Sequence, residues 1–504
     1  MTERYRLFIG GEFVDAQDSA TFPSYDPSTG EQIAEVAKAS REDVQKAIAA
    51  ARKAFDEGPW PKMSGAERAA KLRKIAELIG QRSAQLAELE TRDSGATIRK
   101  AQLADVPLCQ QSFEWFARQA EERPEIEELP GSPFPPSENY VRYEPFGVCT
   151  GIIPWNFPLI MAAWKIAPAI AAGNTCVLKP ASYTSLTALE LAKIIQEADL
   201  PPGVVNVVTG PGGSVGEELA SNPMVDKVAF TGSTEVGRRI MQLASGNVKA
   251  VTLELGGKSA NIVLDDADLD VAAAAVLWGT FMHNGQVCES GTRALVQRSI
   301  YDEFVSLLAD RAGKIVLGPP LDHGTDLGPL VSRSQVETVE RYVAIGREEV
   351  GEPITGGSKP SDLAEGLDRD AYFQPTIFAD VDNKARIAQE EIFGPVLCVI
   401  PFDTDEEAVA IANDSIYGLA GGVQSSDIER AKKVAHGMRT GTVWINDYHL
   451  ISPERPFGGY KQSGLGRELG TFGFDAYREV KHVHINPQPG RDSHFHYSML
   501  SQNI

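Results

Sequence analysis

Cysteine is scarce and unpaired in pattern: Cys109, Cys149, Cys176, Cys288 and Cys398 form an odd set with no C-x-x-C. A disulfide framework or a structural zinc site is therefore not expected. The 8 histidines are scattered, with no H-E-x-x-H pair, so no metal chemistry is advertised. Basic runs interleaved with aromatics are also missing. With 48 Lys and Arg against 69 Asp and Glu, the formal net charge of -21 repels phosphate backbones and argues against nucleic acid as a partner. No window approaches the roughly 20 apolar residues of a membrane span. The N-terminal "MTERYRLFIGGEF" lacks the apolar core and small-residue cleavage site of a secretion signal. The expectation is a soluble, cytoplasmic protein with no membrane partner.

What is present is an ordinary globular composition, 42% hydrophobic and 23% charged. At 504 residues the chain exceeds what one core supports, so two or three domains are expected. From residue 148, short apolar runs alternate with helical patterns. "VCTGII" (148–153) reads as a buried strand, "PLIMAAWKIAPAIAAG" (158–173) as a helix opened by Pro158 and closed by Gly173, and "TCVLK" (175–179) as the next strand. A helix at 184–198, strand at 204–208, helix near 214–221, strand at 227–230, helix from about 235 and strand at 250–255 continue the series. Such spacing implies a doubly wound parallel sheet, whose ligands bind beyond the carboxyl ends of the strands. A second series from about 260 to 445, with "NIVL", "RALVQ", "VLCVIPF" and "GTVWIN", implies a second α/β domain. The proline- and acid-rich "ERPEIEELPGSPFPPSEN" (122–139) reads as an excursion between elements. "YREVKHVHINPQP" reads as an edge strand that pairs either within the chain or with another subunit.

Two glycine-rich turns follow strands of the first domain. "TGPGGSVG" (209–216) approaches G-x-G-x-x-G, but Val215 stands where the third glycine is due. "FTGSTEVG" (230–237) has phosphate-loop spacing, yet Arg238 and Arg239 follow where a nucleoside triphosphatase needs Lys and then Ser or Thr. That activity is disfavoured. Two readings stay open: tight turns that need glycine backbone, or a helix N-terminus whose N–H groups, with Ser233, receive a pyrophosphate.

Four cysteines have apolar neighbours and read as small core residues. Cys288, in "FMHNGQVCESG" (281–291), has polar and glycine flanks that suit a thiolate, although an inert loop cysteine fits the same stretch. Glu254, at the end of "VTLEL", is a structural carboxylate or a general base raised in pKa by desolvation. Asn156 in "PWNFP" is a turn former or an amide donor to a developing oxyanion.

Together and in order, "PWNFP", "LKPAS", "FTGSTEVG", "LELGGK", "GQVC", "EEIFGPV" and "PFGGYKQSGLGRELG" resemble the aldehyde dehydrogenase superfamily from about residue 147 to 470, with "PSTGE" near the N-terminus also typical. The resemblance implies oxidation of an aldehyde to a carboxylic acid with NAD or NADP. It implies Cys288 as the nucleophile, Asn156 and the Cys288 backbone N–H as oxyanion donors, Glu254 as the base for thioester hydrolysis, and Lys165 as a proton relay. For the cofactor it implies Lys179 at the adenosine ribose, Gly212 and Gly216 at the adenine, Gly232 and Ser233 at the pyrophosphate, and Glu391 and Phe393 at the nicotinamide riboside. Ile153, Trp155, Ser182, Phe230 and Leu255 complete that set. The implied organisation is a discontinuous dinucleotide-binding domain (1–126 and 146–256), a catalytic domain (257–462), and a small β oligomerisation element from an arm (127–145) and a tail (480–504). The assembly implied is a homo-oligomer, dimer or tetramer.

One departure bears on the cofactor. Three residues after Lys179, where NAD-preferring members carry a glutamate for the ribose 2′-hydroxyl, this chain has Ser182, so nothing repels a 2′-phosphate, a hydroxyl can donate to it, and NADP is expected to be accepted and open to being the preferred cofactor. Phe157, Trp164 and Phe457 are expected to wall the substrate tunnel, which suits a medium-to-large apolar or aromatic aldehyde. Glu454 and Arg455 in "NDYHLISPERPF" keep an acidic semialdehyde as the alternative. A cysteine hydrolase without redox chemistry is the more distant rival. It would need a histidine partner, and none lies near these motifs in sequence.

Overall fold

The computed structural model describes residues 3–133, 136–488 and 490–500. Residues 1–2, 134–135, 489 and 501–504, which belong to the expected first segment, arm and tail, lie outside the described residues.

Buried parallel strands read as unbroken apolar runs because both faces are covered. Five such segments form the middle of an eight-stranded sheet: β1 (Val148–Ile152), β2 (Thr175–Lys179), β3 (Val205–Val207), β4 (Lys227–Thr231) and β5 (Ala250–Glu254). Their order is β5-β4-β1-β2-β3, all parallel, so the carboxyl ends share one edge. Antiparallel pieces close the flanks, Gly464–Leu465 beside β5 and Leu7–Ile9 with Glu12–Val14 beside β3.

Helices cover both faces. On one lies α1 (Pro158–Ala171), in which every residue is buried. It packs on Gly151 of β1, where a Cβ would come within 2.7 Å of the Lys165 Cβ, so glycine permits the close approach. Burying each large aliphatic of such a helix stabilises the fold by roughly 1.5–3 kcal/mol. Lys165 is the exception, a charge that must find a partner inside.

The second series gives a six-stranded sheet that is parallel throughout. Its strands are β6 (Ala260–Val263), β7 (Arg293–Gln297), β8 (Thr376–Phe378), β9 (Val396–Phe402), β10 (Ala420–Gln424) and β11 (Thr442–Ile445), in the order β8-β9-β7-β6-β10-β11. The two sheets bear out the α/β reading. The C-terminal edge strand, Arg478–Ile485, pairs within the chain, antiparallel to Glu138–Pro145. A correction concerns the acidic excursion: it contains a strand, Ile126–Leu129, which completes a three-stranded sheet with those two. All four of its residues are exposed, so it lacks the alternation that would mark it. Likewise the helix expected near 214–221 is only Glu217–Ser221, with a π turn over Gly212–Gly216 ahead of it.

Candidate active site

The nucleophile loop descends from the helix α2 (Leu269–Phe281) and enters β7. His283 and Asn284 take left-handed backbone angles (φ 50° and 58°), so the chain reverses sharply just before Cys288. Side chains lock the turn. Asn284 Nδ2 donates to the Gly328 and Pro329 carbonyls at 3.0 and 3.1 Å, and the Val331 N–H donates to Gln286 Oε1 at 3.0 Å. Asn156, in the loop after β1, donates from Nδ2 to the Gln286 carbonyl at 2.8 Å, which ties the two expected oxyanion elements together. A Cβ on Gly257 would lie 2.6 Å from the Cys288 carbonyl, so the glycine after β5 lets the loop sit down on the first sheet.

Cys288 and Glu254 line one cavity of about 680 Å3, together with Phe157, Trp164, Phe457 and Leu255. The three expected tunnel aromatics thus line the same cavity as the thiol, with Trp164 and Phe457 edge to face at 5.6 Å. Glu254 is buried, and among the described residues neither carboxylate oxygen closes an ordinary hydrogen bond. Burial, and then the neighbouring Glu468 charge, push its carboxyl well above the usual range, against the pull of Lys165 and Arg467. The Lys165 ammonium is fully buried, ion-paired with Glu468 and donating to Thr231 Oγ1 at 2.6 Å. Glu468 was missed as a site residue, since it stands 303 positions from the lysine it meets.

Three further residues were missed. Glu289 accepts from Cys288 Sγ at 3.0 Å through Oε2, while its Oε1 faces His449 Nδ1 at 3.1 Å. His283 and His449 both line the cavity. The expectation that no histidine lies near these motifs is therefore corrected: His283 stands in the nucleophile stretch itself, and His449 was hidden by chain separation. His449 reaches Cys288 through Glu289. Burial, then the Glu289 charge and hydrogen bond, hold the Cys288 thiol well above its ordinary pKa.

The expected cofactor residues lie outside this cavity apart from Leu255; those from Ile153 to Ser233 sit at or just past the carboxyl ends of strands of the first sheet, while Glu391 and Phe393 precede β9 of the second. Lys179 ends β2, with its ammonium buried against the Pro180 carbonyl at 2.8 Å and its pKa lowered by desolvation to about 8. Its side chain lies 3.7 Å from where a Cβ on Gly216 would be, and a Cβ on Gly212 or Gly213 would meet nothing within 4 Å. Ser233 caps the helix Thr234–Ala244, its Oγ accepting from the Val236 N–H at 3.3 Å. A buried cation, open glycine backbone and an accessible helix N-terminus fit the ribose and phosphates of a dinucleotide. Ser182 Oγ donates to the Gly210 carbonyl at 3.0 Å, which leaves it acceptor lone pairs for another group. Ile153 is buried beside them, its N–H donating to the Lys179 carbonyl at 3.1 Å. The Phe230 ring fills the space a Cβ on Gly232 would need. Glu391 accepts from the Gly257 N–H at 3.1 Å, with burial raising its carboxyl to about 7, and Phe393 meets Trp155 edge to face at 5.2 Å.

All five cysteines are free. No group of metal-ligating side chains occurs among the described residues, and no described helix is long and apolar enough to cross a membrane.

Comparison with known proteins places this geometry. A family model described as "Aldehyde dehydrogenase family" matches residues 13–483. Betaine aldehyde dehydrogenase of Bacillus subtilis (strain 168) is 49% identical over 483 residues, covering 96% of this chain and 98% of the relative. Mitochondrial aldehyde dehydrogenase of Homo sapiens is 45% identical over 484 residues, covering 95% and 92%. Among solved structures, betaine aldehyde dehydrogenase of Staphylococcus aureus in complex with NAD+ superposes with a TM-score of 0.94 at 42% identity, covering 96% of this chain and 95% of that one. An NAD+ complex of aldehyde dehydrogenase from Bacillus cereus gives 0.93 at 43%, covering 96% and 97%.

Proposed function

The chain belongs to the aldehyde dehydrogenase family, and from that premise we propose how its residues divide the work and which aldehyde it takes. The Cys288 sulfur bonds to the aldehyde carbon. The second N–H of the Asn156 amide, beside the one given to Gln286, and the Cys288 backbone N–H hold the oxyanion. Bound NAD or NADP supplies the hydride acceptor, held by Lys179, Gly212, Gly216, Gly232, Ser233, Glu391 and Phe393. The acyl group left on sulfur is released by water that Glu254 deprotonates, while the Lys165–Glu468 pair sets the readiness of that base. Cys288 and Glu254 facing one cavity carries the reading.

The substrate we propose is a medium or large apolar or aromatic aldehyde. The cavity is walled by Phe157, Ile160, Trp164, Leu277, Phe281 and Phe457. Its lining lysine and arginine are already engaged, Lys100 with Asp105 at 2.7 Å and Arg99 with Asp326 at 2.7 Å, which leaves neither free for the carboxylate of a semialdehyde. A second reading is a cationic aldehyde, favoured by the betaine-aldehyde relatives and by the aromatic rings. Against it, the Lys100 ammonium lies 3.9 Å over the Phe157 ring and repels a second cation there. Ranking alkanals, aromatic aldehydes, betaine aldehyde and semialdehydes by kcat/KM decides: the highest value for betaine aldehyde or a semialdehyde rejects the apolar reading.

For the cofactor, we propose that NAD and NADP are both accepted, with NAD preferred. Ser182 spends its donor on Gly210 and so offers a 2′-hydroxyl an acceptor, while placing no carboxylate against a 2′-phosphate. Kinetics with both cofactors tests this; strict exclusion of either one refutes it. The sheet of Ile126–Leu129, Glu138–Pro145 and Arg478–Ile485 is proposed to be where copies of the chain meet, its outer strand presenting an unpaired edge. Sedimentation would show a monomer if that is wrong.

A further inference from the structure

We propose that Glu289, positioned by His449, is a catalytic residue of this enzyme: it takes the proton of the Cys288 thiol as the sulfur attacks the aldehyde and returns it when the acid product leaves. The proposal rests on the aldehyde-oxidising reading above for its carbonyl substrate, and on three contacts for its geometry. Cys288 Sγ donates to Glu289 Oε2 at 3.0 Å, Oε1 faces His449 Nδ1 at 3.1 Å, and His449 Nε2 faces the Gly279 carbonyl at 3.1 Å. A carboxylate and a carbonyl only accept. The ring therefore meets both as a donor in its imidazolium form, or shares one proton with Glu289. In both cases the thiol touches an acceptor that has charge-stabilising support behind it. The side chains of Glu289 and His449 are 4% and 1% exposed, so the contacts act in a dry, low-dielectric setting.

Glu254 is less ready for this first proton. Burial and then the Glu468 charge raise its carboxyl and so disfavour the ionised form that would take it. Burial pushes the Glu289 carboxyl up as well, but the hydrogen bond and charge of His449, with the Cys288 hydrogen bond, outweigh that and bring it below its ordinary value. The other titratable groups facing the trio are few. Glu391 and Glu254 act on the thiol, the Tyr448 hydroxyl donates to the Glu289 carbonyl at 2.9 Å with Arg293 nearby, and uncharged Trp278 and Trp444 flank the imidazole.

The protons balance. As the carbon–sulfur bond forms, the S–H bond breaks, its proton moves to Oε2, and the carbonyl π pair becomes the oxyanion. The aldehyde carbon is the group oxidised and the nicotinamide cofactor of the family's reaction the group reduced; neither change uses the Glu289 proton. As water adds to the thioester its proton passes to the Glu254 carboxylate and from there to solvent; when the carbon–sulfur bond breaks, the thiolate reclaims the Glu289 proton. Thiol and carboxylate end as they began.

The test is the pH dependence of Cys288 alkylation by iodoacetamide in the cofactor-free enzyme, read by mass spectrometry of the Cys288 peptide. Transfer to Glu289 releases no proton to solvent, so the wild-type rate should be flat from about pH 6 to about pH 8, below the ordinary thiol titration near about 8.5. Glu289→Gln must lose the proton to water. Its rate should fall at least tenfold at the acid end and climb tenfold per pH unit. His449→Asn keeps a donor for Oε1 but no charge, so the plateau should persist with its acid edge moved to higher pH. A purely structural role would lower every rate without moving that edge. A wild-type slope of one, or Glu289→Gln reacting as fast as wild type or faster at the acid end, overturns the proposal. If Glu289→Gln does not fold, an unmoved acid edge in His449→Asn does the same. A plateau without NADH formation from any aldehyde would strike the functional reading alone and leave the proton transfer standing.

Discussion

Removing either member of the buried Lys165–Glu468 pair should move the pH dependence of acyl release, and in opposite directions. Glu254 must be ionised to deprotonate water, so release rises with pH through its titration. Burial, then the Glu468 charge, holds that carboxyl up, and Lys165 pulls it down. Lys165→Met deletes the lowering charge and leaves Glu468 uncompensated, so the rising limb shifts to higher pH. Glu468→Gln deletes the raising charge and frees the ammonium, so the limb shifts to lower pH. A charge within a few ångströms of a buried carboxyl moves such a curve by about one pH unit or more, roughly 1.4 kcal/mol. Each single change also strands a buried charge, costing about 3–5 kcal/mol of stability, much of which the double change should recover. The assay follows loss of acyl mass from Cys288 by rapid quench across pH, with urea unfolding alongside. Shifts in the same direction, or none, refute the electrostatic account of Glu254.

Asp93 accepts from Ser24 Oγ at 2.6 Å and the Leu186 N–H at 2.9 Å, with burial raising its carboxyl to about 7. A raised folded pKa means its stabilisation is full below the unfolded value near about 3.9 and is lost as pH rises toward 7. The unfolding free energy of wild type minus Asp93→Asn should therefore fall across that window by up to about 1.4 kcal/mol per pH unit, and a flat difference would contradict it. Ser182→Glu should reduce kcat/KM for NADP at least tenfold while sparing NAD, by setting a carboxylate against the 2′-phosphate; equal losses would remove Ser182 from that site. Gly257→Ala should push on the Cys288 carbonyl and lower turnover at least tenfold with the fold retained, since a Cβ there has only 2.6 Å. Wild-type turnover in that variant would show the loop to be free to move.

Much of the fold was legible because buried parallel strands carry their signal locally. Thr175–Lys179, Arg293–Gln297 and Val396–Phe402 end where their apolar runs end. Ile126–Leu129 escaped because exposed edge residues carry no alternation. Cys288, Glu254 and Asn156 could be singled out from their own flanks, and their order with four other motifs identified the family. Glu468 and His449 could not. Each meets its partner only in the folded chain, Lys165 at 303 positions and Glu289 at 160, and a lone glutamate or histidine in a loop carries no mark of either contact. Glu289 stood beside the thiol in plain view, but its role depends on that distant ring.

The division of labour between Cys288 and Glu254 is tested most directly by mixing the Glu254→Gln enzyme with cofactor and a good aldehyde and weighing the protein after a rapid quench. One acyl group on the Cys288 peptide per site, formed with a burst of one NADH and released slowly, is the result the account predicts. Turnover at the wild-type rate with no acyl group retained, or an acyl group on another residue, would contradict it.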